Sequence, residues 1–137
     1  QTYAHGKHAL SEAQRYVPHA VLKVFKDERG NDIAQISLNR LVKPYEDFIH
    51  ELKPNAATCL VLLAGLEDPH NVGAIIRSAA AFGASAVLMP SEGQAPISDA
   101  VLKVSAGLAF RIPLVMIGGY QQVLSYLRKR GFKVYGL

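Results

Sequence analysis

One short polar stretch carries the residues of this chain that are best suited to chemistry. Asp68, Pro69 and Asn71 follow an apolar run, and Arg77 stands six residues later in an alanine-rich helical pattern. An arginine in such a place can hold a phosphate through two parallel hydrogen bonds. Open α/β sheets bind their ligands at the carboxyl ends of parallel strands, which is where this stretch would lie. Together these residues predict a site for a phosphate-bearing ligand.

Each residue of the stretch also has a purely structural explanation. Asp68 fits the N-cap of a helix, Pro69 fits its first position, and Asn71 can satisfy an early backbone N–H group. Arg77 lies about 120° from the centre of the helix's apolar stripe, where a solvated arginine is ordinary. Taken singly, the structural explanations are favoured, and only the combination at the end of a buried strand favours a ligand site.

The pattern from residue 56 onward predicts an α/β fold, an open parallel sheet with helices on its faces. Continuous apolar runs are typical of parallel strands that are covered on both sides. They alternate with segments whose apolar residues recur at helical spacing, so the order is β-α-β-α-β-α-β. The predicted strands are 58–66, 84–90, 112–117 and 132–137, and the predicted helices lie around 72–80, 98–105 and 120–127.

The first part of the chain has a different pattern. It predicts a helix over 6–17 and a strand over 19–26, followed by a polar turn with Gly30. Two prolines, Pro44 and Pro54, flank a short helical pattern that is typical of a linker. We therefore expect an amino-terminal domain over 1–42, a linker over 43–55 and a second domain over 56–137.

Composition indicates a packed globular protein. Half of the 137 residues are hydrophobic and 19% are charged, unlike a disordered tail. No apolar run approaches the roughly 18 residues that a membrane span needs, and the start, QTYAHGKHAL, does not resemble a signal peptide. Cys59 is the single cysteine, which excludes a disulfide within the chain and favours a reducing compartment. We expect a cytoplasmic protein that does not associate with membranes.

The net charge and the absence of several known motifs restrict the classes of ligand that the chain is expected to bind. The net charge of +4 is compatible with a nucleic-acid partner. The tight basic cluster at 128–130 fits the last turn of a helix, where cations complement the helix dipole. The chain has neither a G-x-G-x-x-G motif after the first parallel strand nor a P-loop. The five histidines do not cluster, and the pair His5 and His8 lacks further ligands, so we expect no metal.

The stretch EDPHNVGAIIRSAAAFGASAVLMP closely resembles the first signature motif of the SpoU, or TrmH-type, branch of the SPOUT RNA methyltransferases. Five motif positions match, together with the A-x-x-F-G-A run that follows; they are Asp68, Pro69, Asn71, Gly73 and Arg77. KVSAGLAFRIPL resembles a later family segment, although Phe110-Arg111 stands where a pair with a glutamate is common. YAHGKHALSEA is similar to the opening of the L30e-like RNA-binding domain of the family's ribosomal RNA enzymes.

The resemblance implies an enzyme that transfers a methyl group from S-adenosylmethionine to a ribose 2′-hydroxyl of RNA, with ribosomal RNA as the expected substrate. It makes Arg77 the catalytic and RNA-binding residue, and Asn71 its partner in orienting the arginine or the ribose. Because a guanidinium stays protonated, Arg77 is expected to hold the RNA phosphate and the 2′-oxygen rather than to act as a simple base. The resemblance also implies a homodimer with a deep trefoil knot.

Two departures from the family pattern affect these expectations. The stretch between 27 and 45 is shorter than in the family. The knot motifs, with most cofactor contacts, are expected after Leu137, and the letters Ser91-Glu92-Gly93 imitate one of them in the wrong place. We therefore expect the chain alone to be inactive. Transfer RNA remains an alternative substrate, and a non-catalytic RNA-binding or ribosome-assembly protein on the same fold remains an alternative function.

Overall fold

Two β-sheets organise the chain, whose residues 2–136 are described by a computed structural model. The strands are β1 (Thr2–His5), β2 (Val21–Lys26), β3 (Asp32–Ile36), β4 (Val42–Pro44), β5 (Leu60–Leu62), β6 (Ala86–Pro90) and β7 (Leu114–Ile117). The helices are α1 (Lys7–Tyr16), α2 (Leu38–Leu41), α3 (Tyr45–Glu51), α4 (Pro69–Ala81), α5 (Asp99–Val104) and α6 (Tyr120–Lys129). The first sheet is antiparallel with the order β1-β3-β2, and the second is parallel with the order β4-β7-β6-β5.

The central strand β6 of the parallel sheet is buried on both faces, as its continuous apolar run predicts. Successive side chains of a strand point to opposite faces, and in β6 Val87 packs with the cluster that contains α4 and α5 residues, while Leu88 packs with α6 residues. The predicted strands at 84–90 and 112–117 are confirmed. The strand predicted at 58–66 is also confirmed, although it covers only Leu60–Leu62 and leaves Cys59 exposed.

The predicted linker is corrected by the structure over residues 43–51. Strand β4 pairs in parallel with β7, and α3 follows it with Phe48 buried against the sheet. Pro44 is compatible with a strand here because β4 lies at the edge of the sheet and needs no ladder hydrogen bond on its outer side. Residues 42–51 are therefore part of the α/β unit, while the division of the chain into two domains stays a prediction.

The prediction of a fourth parallel strand at 132–137 is wrong for residues 132–136, which form no strand. A strand requires a partner for its backbone groups. The free side of β7 is occupied by β4, and no segment of residues 2–136 pairs with the outer side of β5. Residue 137 lies outside the described residues.

The amino-terminal part forms the antiparallel sheet with α1 packed against it. The predicted helix and strand are confirmed as α1 and β2, and the polar turn joins β2 to β3. The sequence did not predict β1. The buried side chains Ala4, Ala13 and Ala34 belong to the same apolar cluster as Val72 and Ile76 of α4. The two sheets therefore share one core, and the L30e-like character of this part stays a prediction.

Candidate active site

The start of α4 is fixed by the cap that its sequence predicts. Asp68 is the N-cap residue, and its Oδ1 accepts a hydrogen bond from the backbone N–H of His70 at 2.9 Å. Pro69 occupies the first helical position, where its missing N–H is not needed. Because the helix follows β5, this cap aims the amino end of α4 at the edge where the parallel strands end.

Asn71 does not take part in that cap. In residues 2–136, no hydrogen bond joins its side chain to a backbone N–H or to another side chain. The prediction that it satisfies an early backbone donor is therefore wrong, because Asp68 already accepts from the first turn. The amide of Asn71 is exposed, and both its donor and its acceptor remain available to a ligand.

Arg77 is exposed on the same helix and forms no ion pair or hydrogen bond within residues 2–136. Its position away from the apolar stripe is therefore confirmed. Asn71 and Arg77 stand six residues apart, which places them about 120° apart around the helix. No contact joins the two side chains. Each of them can reach a ligand, but α4 does not hold them against each other.

Gly73 explains how the buried face of α4 comes close to α5. A Cβ atom at this position would lie 2.8 Å from Cβ of Val104 and 3.0 Å from the carbonyl oxygen of Val101. Real Cβ atoms do not approach so closely without a shift of their neighbours. The motif glycine is thus a packing requirement, which separates it from the exposed Asn71 and Arg77.

The loops that follow β5 and β6 are tied together by Gln94. Its Oε1 accepts a hydrogen bond from the N–H of Leu66 at 2.8 Å, and the N–H of Ala95 donates to the carbonyl oxygen of Leu66 at 2.7 Å. The Nε2 atom of Gln94 is buried without a partner in the described residues. From the sequence, the stretch at 91–94 reads as a surface turn. Residues 91–93 are exposed, but Gln94 holds the loop that leads to Asp68.

An apolar groove of about 670 Å³ runs beside α4 and the outer edge of β5. Asn71 and Ser78 are among its few polar lining residues, and none of the lining residues is charged. Phe82, at the end of the helix, is 91% exposed next to it. An exposed apolar surface of this kind is typical of a region that another surface covers.

A second arginine, Arg111, is held in a different way at the amino end of β7. Its Nη2 and Nε atoms donate to the two carboxylate oxygens of Glu12, the Nε contact at 3.3 Å. Glu12 is buried in α1, and the guanidinium stacks on Tyr16 at 4.8 Å. Hydrogen bonding to Glu12 raises the pKa of Arg111 above its ordinary value. The sequence did not predict this pair. The one signal for it was the position of Glu12, which lies three residues after Ala9 and therefore on the apolar stripe of the helix.

Two structural features are absent from residues 2–136. No group of three or more His, Cys, Asp or Glu side chains is arranged to hold a metal ion. No helix in this part of the chain has the length and apolar character needed to cross a membrane.

A family model decides which group of proteins this chain is part of. The model of the SpoU rRNA Methylase family matches residues 58–137, more than half of the chain and all of the segment from β5 to α6. The chain belongs to the SpoU rRNA Methylase family.

Curated relatives agree with this assignment. A 23S rRNA (guanosine-2′-O-)-methyltransferase of Xanthomonas campestris pv. campestris is 45% identical over 78 residues, which cover 57% of this chain and 31% of the relative. The corresponding Vibrio vulnificus protein is 36% identical over 85 residues, which cover 62% of this chain and 34% of the relative. The chain thus spans about a third of the length of these relatives.

Solved structures of SpoU-type enzymes have the same fold. The SpoU methyltransferase AviRb from Streptomyces viridochromogenes superposes with a TM-score of 0.74 over 94% of this chain and 58% of its own, at 18% identity. An AdoMet-bound rRNA methyltransferase from Sinorhizobium meliloti is 26% identical, with a TM-score of 0.55 over 72% of this chain and 34% of its own. The predicted α/β class and the family resemblance are both confirmed.

Proposed function

We propose that the protein containing this chain transfers a methyl group from S-adenosylmethionine to a ribose 2′-hydroxyl of ribosomal RNA. Membership of the SpoU family carries the proposal, and the names of the rRNA-modifying relatives support it. Within this chain, the supporting observation is that Arg77 lies in the matched segment with no structural partner in residues 2–136. An exposed arginine without a structural role is available for RNA.

Arg77 holds the substrate in this proposal. A 2′-hydroxyl is a poor nucleophile at neutral pH and must lose its proton as it reacts. The guanidinium cannot take that proton, since it is already protonated. It can bind a phosphate oxygen and the 2′-oxygen through its fork of donors, which stabilises the negative charge that develops on the oxygen. It also fixes the position of the hydroxyl, and correct positioning lowers the barrier of a displacement reaction.

Asn71 contacts the ribose in this proposal. The sequence left open whether it orients Arg77 or the ribose. The separation of about 120° around α4 and the absence of a contact between the two side chains in residues 2–136 favour the ribose. Its amide can donate to one ribose oxygen and accept from a hydroxyl, so it can distinguish RNA from DNA.

The residues of the apolar groove do not form a site for S-adenosylmethionine. The cofactor carries a charged amino group, a carboxylate and an adenine, and the groove offers no charged lining residue to pair with them. We therefore propose that the cofactor contacts come from the part of the relatives' length that this chain does not span. The trefoil knot belongs to the same proposal.

The substrate, the cellular location and the oligomeric state are part of the same proposal. RNA is the substrate, the protein is cytoplasmic, and the enzyme is a homodimer. The apolar groove beside the exposed Phe82 supports a further packing partner for α4. Sedimentation of the natural protein that contains this sequence checks the dimer, and a monomer at micromolar concentration would contradict it.

Methylation of defined RNA tests the proposed reaction. The natural protein containing this sequence is incubated with labelled S-adenosylmethionine and with unmodified ribosomal or transfer RNA, and the digested nucleosides are analysed by mass spectrometry. We expect a 2′-O-methylated nucleoside from ribosomal RNA, and the names of the relatives make guanosine the first product to examine. Modification of transfer RNA alone would select the alternative substrate. A folded protein that binds RNA without transferring methyl groups would select the non-catalytic alternative.

A further inference from the structure

A second concave surface lies between the amino-terminal part and the edge of the parallel sheet. This groove of about 430 Å³ is lined by residues around the end of α1, by the segment from α2 to β4 and by the residues that precede β7. None of its lining residues belongs to α4. It is therefore separate from the candidate active site, and the roles proposed for Asn71 and Arg77 do not involve it.

The residues that line this groove, which we call the basic groove, carry more positive than negative charge. Arg40, Lys43 and Arg111 line it together with His19, and Asp47 is the one acidic residue among the lining residues. With histidine neutral, three positive charges and one negative charge line the groove, while Glu51 and Glu12, which pair with Lys43 and Arg111, lie outside the lining. An excess of cations in a cleft concentrates field lines and attracts anions.

The cations of the groove differ in how strongly the protein itself holds them. Within residues 2–136, the side chain of Arg40 donates one hydrogen bond, from Nη1 to the backbone carbonyl oxygen of His19 at 3.5 Å. Lys43 pairs with Glu51 at 2.7 Å, but both side chains are substantially exposed, and exposed pairs of this kind contribute little to stability. Both cations can exchange these contacts for a phosphate at small cost.

Arg111 adds a rigid donor to the same groove. Its contacts to Glu12 use Nε and Nη2, and neither contact involves the Nη1 amino group. The guanidinium plane is fixed by Glu12 on its edge and by the Tyr16 ring on its face. A donor that is already held in place loses less conformational entropy when it binds a ligand.

We propose that the basic groove binds the phosphodiester backbone of RNA outside the nucleotide that is methylated. The proposal rests on the proposed function, in which RNA is the substrate. Arg40 and Lys43 contact phosphates, and Arg111 adds a third donor from its Nη1 group. Backbone contacts of this type position RNA without reading its sequence, so the groove increases affinity for RNA rather than selecting the nucleotide.

The test compares two double variants that remove the same charge. The 137-residue chain is titrated with a fluorescently labelled single-stranded RNA oligonucleotide of mixed sequence, and anisotropy is followed over a series of salt concentrations. Arg40→Ala/Lys43→Ala removes two cations from the groove. Arg128→Ala/Lys129→Ala removes an arginine and a lysine from the last turn of α6, which does not line the groove. Both variants change the net charge equally.

We expect the groove variant to bind RNA more weakly and the α6 variant to bind like the parent chain. For single strands, the slope of log affinity against log salt falls by about 0.7 for each phosphate contact that is lost. The single variant Arg40→Gln should lower this slope by about 0.7, the value for one lost phosphate contact. The four residues that these variants replace have exposed or half-exposed side chains, and thermal melting checks that each variant is folded.

Three outcomes would overturn the proposal. The first is an equal loss of affinity in both double variants, which would indicate a diffuse charge effect. The second is full displacement of the oligonucleotide by equimolar adenosine monophosphate, which would indicate a mononucleotide pocket. The third is a parent chain that does not bind RNA at all. None of these outcomes bears on methyl transfer, which is measured separately in the natural protein, so failure of the groove and failure of the proposed function are distinguishable.

Discussion

Arg77 and Arg111 lie in the same SpoU segment but are held in opposite ways. Arg111 precedes β7 and binds the buried Glu12, which joins α1 to the parallel sheet. Arg77 projects from α4 with no partner in residues 2–136. An arginine that neutralises a buried carboxylate stabilises the fold, whereas an exposed arginine without a partner contributes little to folding. The comparison separates an arginine that is bound to a buried carboxylate from one that has no partner in the described residues.

The largest effect on stability is expected from Arg111→Ala. Loss of the guanidinium leaves the buried carboxylate of Glu12 with only the exposed side chain of His8 beside it, at 3.7 Å, and we expect the free energy of unfolding to fall by about 2 kcal/mol. This figure is below the full cost for a buried pair because Arg111 is itself 42% exposed. Chemical denaturation of the parent chain and the variant measures the difference.

Arg15→Ala is the matched control for Arg111→Ala. Arg15 stacks on the same Tyr16 ring at 5.2 Å, but it forms no ion pair within residues 2–136. Its loss removes only a cation–π contact, for which we expect about 0.5 kcal/mol. Equal destabilisation by the two variants would show that Tyr16, and not Glu12, explains the effect of Arg111.

A smaller loss of stability is expected from Gly73→Ala. The new methyl group would press on Val104 and Val101, and overpacking of this kind costs about 1–3 kcal/mol. Alanine recovers about 1 kcal/mol through its helix propensity, so we expect a net loss of about 1 kcal/mol. Gly118→Ala is the control, because a Cβ there meets open space. A stabilised Gly73→Ala protein would contradict the close packing of α4 on α5.

Arg77→Ala should leave stability almost unchanged. The side chain is exposed and has no partner in the described residues, and surface substitutions of this type change the free energy of unfolding by about 0.5 kcal/mol or less. Thermal melting beside Arg111→Ala sharpens the comparison between the two arginines. A loss as large as that of Arg111→Ala would mean that Arg77 has a structural role.

The smallest effect concerns the ion pair at the basic groove. A hydrogen bond and the nearby charge of Lys43 hold the pKa of Glu51 below its ordinary value. A carboxylate with a lowered pKa in the folded state stabilises the protein above its unfolded pKa, and this contribution disappears as the pH falls through the folded pKa. Lys43→Met should return the pKa of Glu51 towards its ordinary value, as NMR titration can measure. Lys53→Met is the control, and the same shift in that variant would contradict the pairing.

The sequence predicted the parallel sheet better than the elements at its edges. Central strands such as β6 are covered on both faces, so they are recognisable from continuous apolar runs without knowledge of their neighbours. The cap at Asp68 is also local, because its donor lies two residues away. These features depend on nearby residues alone, and the structure confirms them.

Features that depend on distant partners were missed or wrong. Strand β4 has three residues and exists because β7 lies beside it. Residues 132–136 have a strand-like pattern but no partner among the described residues. The Glu12–Arg111 pair joins residues that are 99 positions apart. At the site, the sequence identified Asn71 and Arg77 as candidates, but not that the cap would leave Asn71 unused.

Methyl transfer by Arg77 variants of the natural protein tests the central claim most directly. We expect Arg77→Ala to lower kcat for methylation of ribosomal RNA by about 10²–10³-fold, because a donor to the developing charge is lost. Arg77→Lys should recover little, since lysine cannot bind a phosphate in a bidentate way, and the exposed Arg128→Ala should retain activity. An Arg77→Ala protein that is folded, binds RNA and methylates at the parent rate would contradict the assignment of Arg77.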